Sequence, residues 1–189
     1  GYYLDQKWFQ FSKMLGIQLI ILNNLDTTNL LLKNKKIKAI ILSGGGQLSS
    51  GFPSAVNKIN HFKNNIDHER ENIEKRLINF AYSSKIPLIG ICRGMQAIGK
   101  YFGGELIAIK GHVNTRHKLK YFCPIMKQKI TRTVNSFHDY GFKVSETPIQ
   151  LKVNVSYSNI VEQFTHKNNN ILGLMWHPER EKKFSNYDL

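Results

Sequence analysis

Apolar positions along this chain recur in two rhythms, and their succession predicts its architecture. Leu4, Trp8, Phe11 and Leu15 fall at i, i+4, i+7 and i+11, one face of a helix over 4–15 that Gly16 ends. Residues 17–22 and 37–42 are short β-branched runs of the kind that form strands buried on both faces, with a helical turn or two over 28–33 between them. Ile66, Ile73, Leu77, Phe80 and Ala81 predict a long amphipathic helix over 66–85. Asp67, Glu69, Glu71 and Glu74 lie toward its start, where the helix dipole favours negative charge. Residues 87–92 form a third buried strand, and 93–101 a helix stopped by Gly103-Gly104. This is the order of an α/β fold with a doubly wound, mostly parallel sheet flanked by helices. Beyond residue 104 the pattern changes to shorter, partly alternating strands at 105–110, 128–135, 149–156, 160–166 and 171–176, which predict a small antiparallel extension. No repeat, low-complexity linker or boundary interrupts the chain, so residues 1–189 read as a single domain, with 49–65, rich in Asn, Ser and Lys, as a long loop.

Composition narrows the class. With 41% hydrophobic and 11% aromatic residues, the chain has the material for a packed core, which excludes collagen-like and mostly disordered classes. No apolar run approaches the roughly 18 residues of a bilayer span, so no membrane partner is expected. Cys92 and Cys123 do not make a disulfide framework, and a reducing, cytoplasmic setting is expected. The formal charge is +14, from 27 Lys+Arg against 13 Asp+Glu. Yet 21 of those cations are Lys and 6 are Arg, beside 18 Asn and 21 Ile, a drift in composition rather than a nucleic-acid footprint. Arg clusters with stacking aromatics are lacking in the sequence, and no nucleic-acid partner is expected.

The chemistry concentrates at Gly90-Ile91-Cys92-Arg93-Gly94, where a buried strand ends at a Cys with Gly two residues to either side. Small residues there permit the sharp strand-to-helix turn of a nucleophile elbow, which exposes the thiol at a helix N-terminus expected to lower its pKa. A thiol nucleophile needs a base. His177, in Trp176-His177-Pro178-Glu179 directly after the apolar run 171–175, is the best placed, with Glu179 to hold its tautomer. An oxyanion needs backbone N–H donors, which the glycines of Ser43-Gly44-Gly45-Gly46 and the N–H of Arg93 can supply. The glycine turn lacks the Lys-Ser/Thr ending of a Walker loop. His112, Asn114 and His117 lie in a segment without a patterned Cys or carboxylate partner, and no metal is expected.

Together, Ser-Gly-Gly-Gly after a strand, Gly-Ile-Cys-Arg-Gly-Met-Gln and a C-terminal Trp-His-Pro-Glu resemble the class I glutamine amidotransferase superfamily, within it the γ-glutamyl-γ-aminobutyrate hydrolase-like branch. The resemblance spans nearly the whole chain in order and implies a flavodoxin-like sheet. It implies Cys92 as nucleophile, His177 and Glu179 as the other triad members, and Gly45 with Arg93 as oxyanion donors. It also implies Gly46, Gln96, Asn135, Ser136 and His138 as substrate-binding residues. The reaction it implies is acyl transfer from a small γ-glutamyl amide through a thioester, without a metal or organic cofactor. The alternative is a glutaminase component that delivers ammonia to a partner synthetase. Some relatives resembling this chain act in bacterial surface-polysaccharide or nucleotide-linked pathways, which implies a γ-glutamyl amide carrying a nucleotide or phosphate as a substrate, and positive charge from Arg93, Lys110, Arg116, Lys118 or Arg180 would suit such an anionic leaving group. The strand that usually precedes the first helix and the usual closing helix are both lacking, so an upstream segment is expected.

Overall fold

The apolar runs 37–42, 87–92 and 171–176 supply the parallel strands of a five-stranded sheet. In the computed structural model, which describes residues 4–33, 37–49, 67–123 and 127–184, the elements in chain order are α1 (Lys7–Met14), α2 (Leu25–Lys33), β1 (Ile40–Leu42), α3 (His68–Ser84), β2 (Leu88–Ile91) and α4 (Arg93–Tyr101). They are followed by β3 (Ile107–Ala108), β4 (Val113–Cys123), β5 (Gln128–Phe137), β6 (Tyr140–Gly141), β7 (Leu151–Tyr157), β8 (Ile160–His166) and β9 (Ile171–Leu174). The main sheet runs β1-β2-β9-β8-β7. Pairings β1 to β2 and β2 to β9 are parallel, whereas β8 is antiparallel to both β9 and β7. The expected α/β class and its antiparallel extension are therefore both present.

Two apolar clusters hold the layers together. On one face, Ile73, Leu77, Ile78 and Ala81 of α3 and Met95, Ala97 and Ile98 of α4 pack with Leu42, Leu88, Phe164 and Ile171 of the sheet. On the other, Trp8 and Phe11 of α1, with Leu119 and Val134 of the β4–β5 hairpin, cover Ile91, Cys92, Leu174 and Trp176. Helix α3 begins where Asp67 accepts a hydrogen bond from the Arg70 N–H at 2.9 Å, and it ends at Lys85 in the left-handed conformation (φ 56°).

Two expectations need correction, and a third lies mostly outside the described residues. Residues 17–22 run without strand pairing, because only Leu19 and Leu22 reach the two cores while Ile17, Ile20 and Ile21 face outward. The segment 113–123, which is not among the strands expected from the pattern, is an eleven-residue strand. Its period of two is present, with His117 and Leu119 inward, but interleaved Arg116, Lys118 and Lys120 mask it. Of the expected loop 49–65, residues 50–65 lie outside the described residues; Ser49 is held by hydrogen bonds from its N–H and hydroxyl to the Glu71 carboxylate. Among the described residues no helix is long and apolar enough to cross a membrane.

Candidate active site

Three segments leave the carboxyl ends of the three neighbouring parallel strands β1, β2 and β9: the loop from Ser43, the elbow at Cys92 and the segment through His177. In an open α/β sheet this edge is where ligands bind, because the strand ends deliver loops to one crevice. Cys92 has φ 49° and ψ −105°, a strained conformation for a residue with a side chain. The strain is held by the frame: the Cys92 N–H donates to the Leu174 carbonyl at 2.7 Å, and its own carbonyl accepts from the Gln96 N–H at 3.0 Å. Gly94 makes the turn possible, since a Cβ there would lie 2.2 Å from the Leu42 carbonyl oxygen.

His177 is fixed from both sides. Its Nδ1 lies 2.7 Å from Glu179 Oε1, and both side chains are buried. Asn135 clamps its backbone: the His177 N–H donates to Asn135 Oδ1 at 2.9 Å, and Asn135 Nδ2 donates to the His177 carbonyl at 2.8 Å. The Phe137 ring meets the imidazole edge-on at 5.9 Å, and the Arg180 guanidinium lies over Phe137 at 5.2 Å. Gly44 packs directly on this imidazole, where a Cβ would stand 2.5 Å from Cε1.

Two residues of α3 with no role in the site legible from the sequence organise the glycine loop. The Arg70 guanidinium donates to the carbonyls of Ser43 (2.7 Å), Gly44 (3.1 Å) and Gly45 (2.8 Å). In a trans peptide the N–H points opposite the C=O, so drawing the Gly44 carbonyl to Arg70 turns the Gly45 N–H the other way. Glu74 holds Arg70 at 2.9 Å and also pairs with the buried Arg93 guanidinium. By position alone the acidic side chains near the start of α3 are dipole partners. Glu74 is instead the hub of a buried ion network, visible only once α3 is laid against the loop.

The remaining candidates are placed as follows. Gln96 is nearly buried, and its Nε2 donates to the Tyr140 carbonyl at 3.0 Å. Ser136 is fully buried, with its hydroxyl on the His112 carbonyl at 2.6 Å. Asn135 spends its amide on His177 and on Glu181 Oε1 (2.9 Å). His138 is buried, with Nδ1 at 3.0 Å from the Tyr140 carbonyl. Gly45 and Gly46 adopt positive φ of 89° and 75° in the loop beside the elbow. Of the cations expected around the site, the Arg93 side chain points into the ion network and Arg116 pairs with Glu181 at 3.1 Å. Lys110 and Lys118 are exposed, and Arg180 is the cation whose charge acts on Cys92. Asn114, considered as a metal ligand, is exposed, whereas His112 and His117 are buried together.

Burial pushes the Cys92 thiol up from 9.0 to about 12, although the Arg93 N–H and the Arg180 charge pull it down. The helix N-terminus expected to lower this pKa is outweighed, because desolvating a thiolate costs more than one backbone donor returns. At rest the Cys92 side chain is the thiol, so any reaction of its sulfur has to remove that proton. An ultraviolet titration of wild type minus Cys92→Ala is expected to show no thiolate step below pH 9.0; a step near neutrality would mean a preformed thiolate. The folded state holds this proton more tightly than the unfolded chain, so the associated stability is complete below pH 9.0 and is lost as pH rises toward about 12.

A strained cysteine at a strand-to-helix elbow, with a His–Glu pair at the next strand end, defines the class I glutamine amidotransferase-like α/β fold. The family model of Peptidase C26 matches residues 2–179. The chain is 36% identical over 154 residues to γ-glutamyl-CDP-amidate hydrolase of Campylobacter jejuni, covering 81% of this chain and 68% of that one. It is 29% identical over 171 residues to a glutamine-hydrolysing GMP synthase subunit of Methanococcus vannielii, covering 88% and 77%. Among solved structures, a candidate GMP synthase subunit from Thermoplasma acidophilum superposes with a TM-score of 0.69 at 20% identity, over 100% of this chain and 84% of that one. A glutamine amidotransferase from Thermotoga maritima gives 0.62 at 16% identity, over 94% and 74%. The chain belongs to the peptidase C26 family, and it is a hydrolase of carbon–nitrogen bonds.

Proposed function

We propose that this protein cleaves a γ-glutamyl amide through a Cys92, His177, Glu179 triad, releasing glutamate and an amine or amidate. The observation that carries the reading is the elbow itself, with Cys92 at φ 49° on the strand beside the one that leads to the buried His177–Glu179 pair. Glu179 on Nδ1 keeps the proton there and leaves Nε2 as the base. His177 takes the thiol proton as Cys92 Sγ attacks the γ-carbonyl. The N–H groups of Gly45 and Arg93 receive the oxyanion, and His177 returns the proton to the departing nitrogen. Water, deprotonated by the same imidazole, hydrolyses the thioester to glutamate and frees the thiol. Gly46 and Gln96 are assigned to the glutamyl end, while Asn135, Ser136 and His138 act through the wall that holds His177. A single domain in a cytoplasmic setting suffices for this chemistry, with no organic cofactor.

Similarity to the C. jejuni hydrolase supports a nucleotide-linked amidate as leaving group, a compound of the kind used in surface-glycan metabolism, with Arg180 at the rim as its cation. Similarity to GMP synthase subunits supports the second reading, a glutaminase that passes ammonia to a partner synthetase. A substrate panel separates them. Glutamine, γ-glutamyl-aminobutyrate and γ-glutamyl-CDP-amidate are offered to the isolated protein, and glutamate release is measured with and without hydroxylamine to trap the acyl-enzyme. Turnover of an amidate by the protein alone, with γ-glutamyl hydroxamate formed in the trap, is the expected result. Glutamine hydrolysis that appears only on addition of a synthetase would replace the hydrolase reading by the second one.

A further inference from the structure

Behind the wall that carries Asn135, four side chains converge: His112 just before β4, His117 on β4, His138 after β5 and Glu162 on β8. Each is at most 3% exposed. The Glu162 Oε1 lies 3.3 Å from His112 Nδ1, 3.6 Å from His138 Nε2 and 3.9 Å from His117 Nε2. Those three nitrogens and both carboxylate oxygens make no hydrogen bond. Five polar atoms without a hydrogen bond at one buried point are costly, and the carboxylate, which has only imidazoles at 3.3–3.9 Å beside it, is the costliest of them.

We propose that these four residues are the ligands of a divalent transition-metal ion, zinc in the first instance, held in a closed tetrahedral site. The four ligand atoms lie within 4.8 Å of one another. Metal–ligand bonds of about 2.0–2.2 Å set the edges of such a tetrahedron at roughly 3.3–3.6 Å, so the separations from Glu162 are those of a site that tightens slightly around an ion. Three imidazoles and one carboxylate form a borderline nitrogen and oxygen set suited to zinc. His138 is oriented for it: Nδ1–H donates to the Tyr140 carbonyl, which leaves the Nε2 lone pair for the ion, the outer-shell arrangement usual for a ligating histidine. The Ser136 hydroxyl fixes the His112 backbone. Binding displaces no redox electrons; two cationic charges meet one carboxylate, and any protons held by the empty cluster are released.

With four protein ligands the site has no open position, so its role is structural. It clips the β4–β5 hairpin to β8, whose Glu162 carbonyl also accepts from the Met175 N–H at 2.8 Å, two residues before His177. The hairpin carries Asn135, which holds the His177 backbone. The metal thereby supports the position of the candidate base without touching substrate.

Purified full chain, stripped with chelator and titrated with zinc chloride, is expected to take up one equivalent by mass spectrometry after gel filtration and to melt at higher temperature when loaded. Co²⁺ is expected to give the intense visible bands of a tetrahedral site without a thiolate charge-transfer band. Cys92→Ser should keep the equivalent. His117→Gln and Glu162→Gln should lose it, with an affinity drop beyond the roughly 10–100-fold that loss of an outer-shell partner costs. Failure of the stripped wild type to bind either ion overturns the proposal without recourse to any variant. So does retention of zinc by both ligand variants, or its loss in Cys92→Ser, which would place the ion on the thiol.

Discussion

Cys92→Ala is expected to lower glutamate release by at least about 10⁴-fold, the order of loss when a covalent nucleophile is removed from a triad. The variant should fold. The side chain lost is one sulfur atom at the margin of the second apolar cluster, and the φ of 49° is no harder for Ala than for Cys. The same backbone frame remains, from the Leu174 carbonyl to the Gln96 N–H. Substrate should still bind, so single-turnover mixing is expected to show binding without acyl-enzyme or product. A variant that is folded by circular dichroism and turns over like wild type would remove Cys92 from the reaction. The raised thiol pKa adds a second expectation: because the resting thiol must lose its proton during attack, the neutral imidazole of His177 is required in the same step.

Glu74→Ala is expected to destabilise the protein by about 3–5 kcal/mol, the usual consequence of leaving a buried charge without its partner. Arg93 is almost completely buried, and burial already depresses its pKa, with the Glu74 charge opposing that shift. Removing Glu74 strands the Arg93 guanidinium and frees Arg70, which holds the carbonyls of Ser43, Gly44 and Gly45. Activity of whatever folds should therefore fall as well, through a misplaced glycine loop rather than through the triad. Replacing both Glu74 and Arg93 by apolar residues of similar volume should recover much of the stability without the loop's anchoring. Urea melts and kcat on the four proteins of that cycle measure the two effects separately. Equal stability of Glu74→Ala and wild type would show that the network contributes nothing net.

The parallel half of the sheet and the elbow were legible along the chain because their signals are local. The apolar run 88–91, the glycines at 90 and 94 and the helix after Cys92 lie within a short stretch of chain, and the strand-to-helix turn needs all of them at once. The hydrogen-bonded His177–Glu179 pair could be anticipated for the same reason, as two residues of one turn. The dipole argument for Cys92 was also local, and it gave the wrong direction because desolvation depends on what folds over the thiol: the hairpin and α1.

What the one-dimensional order settles here is element type and strand direction near the elbow, and it singles out the candidate reacting side chains, all through contacts a few residues apart. The tertiary structure alone decided the rest. It sent Arg93 inward to Glu74, made Arg70 the anchor of the glycine loop and spent Asn135 on the His177 backbone. It also turned a histidine-containing segment with no visible partner into a strand, and brought to it a carboxylate from β8. Each of these joins residues distant in sequence, and the free energy of a buried polar group depends on which partners the fold brings within hydrogen-bonding reach, a quantity absent from any local pattern.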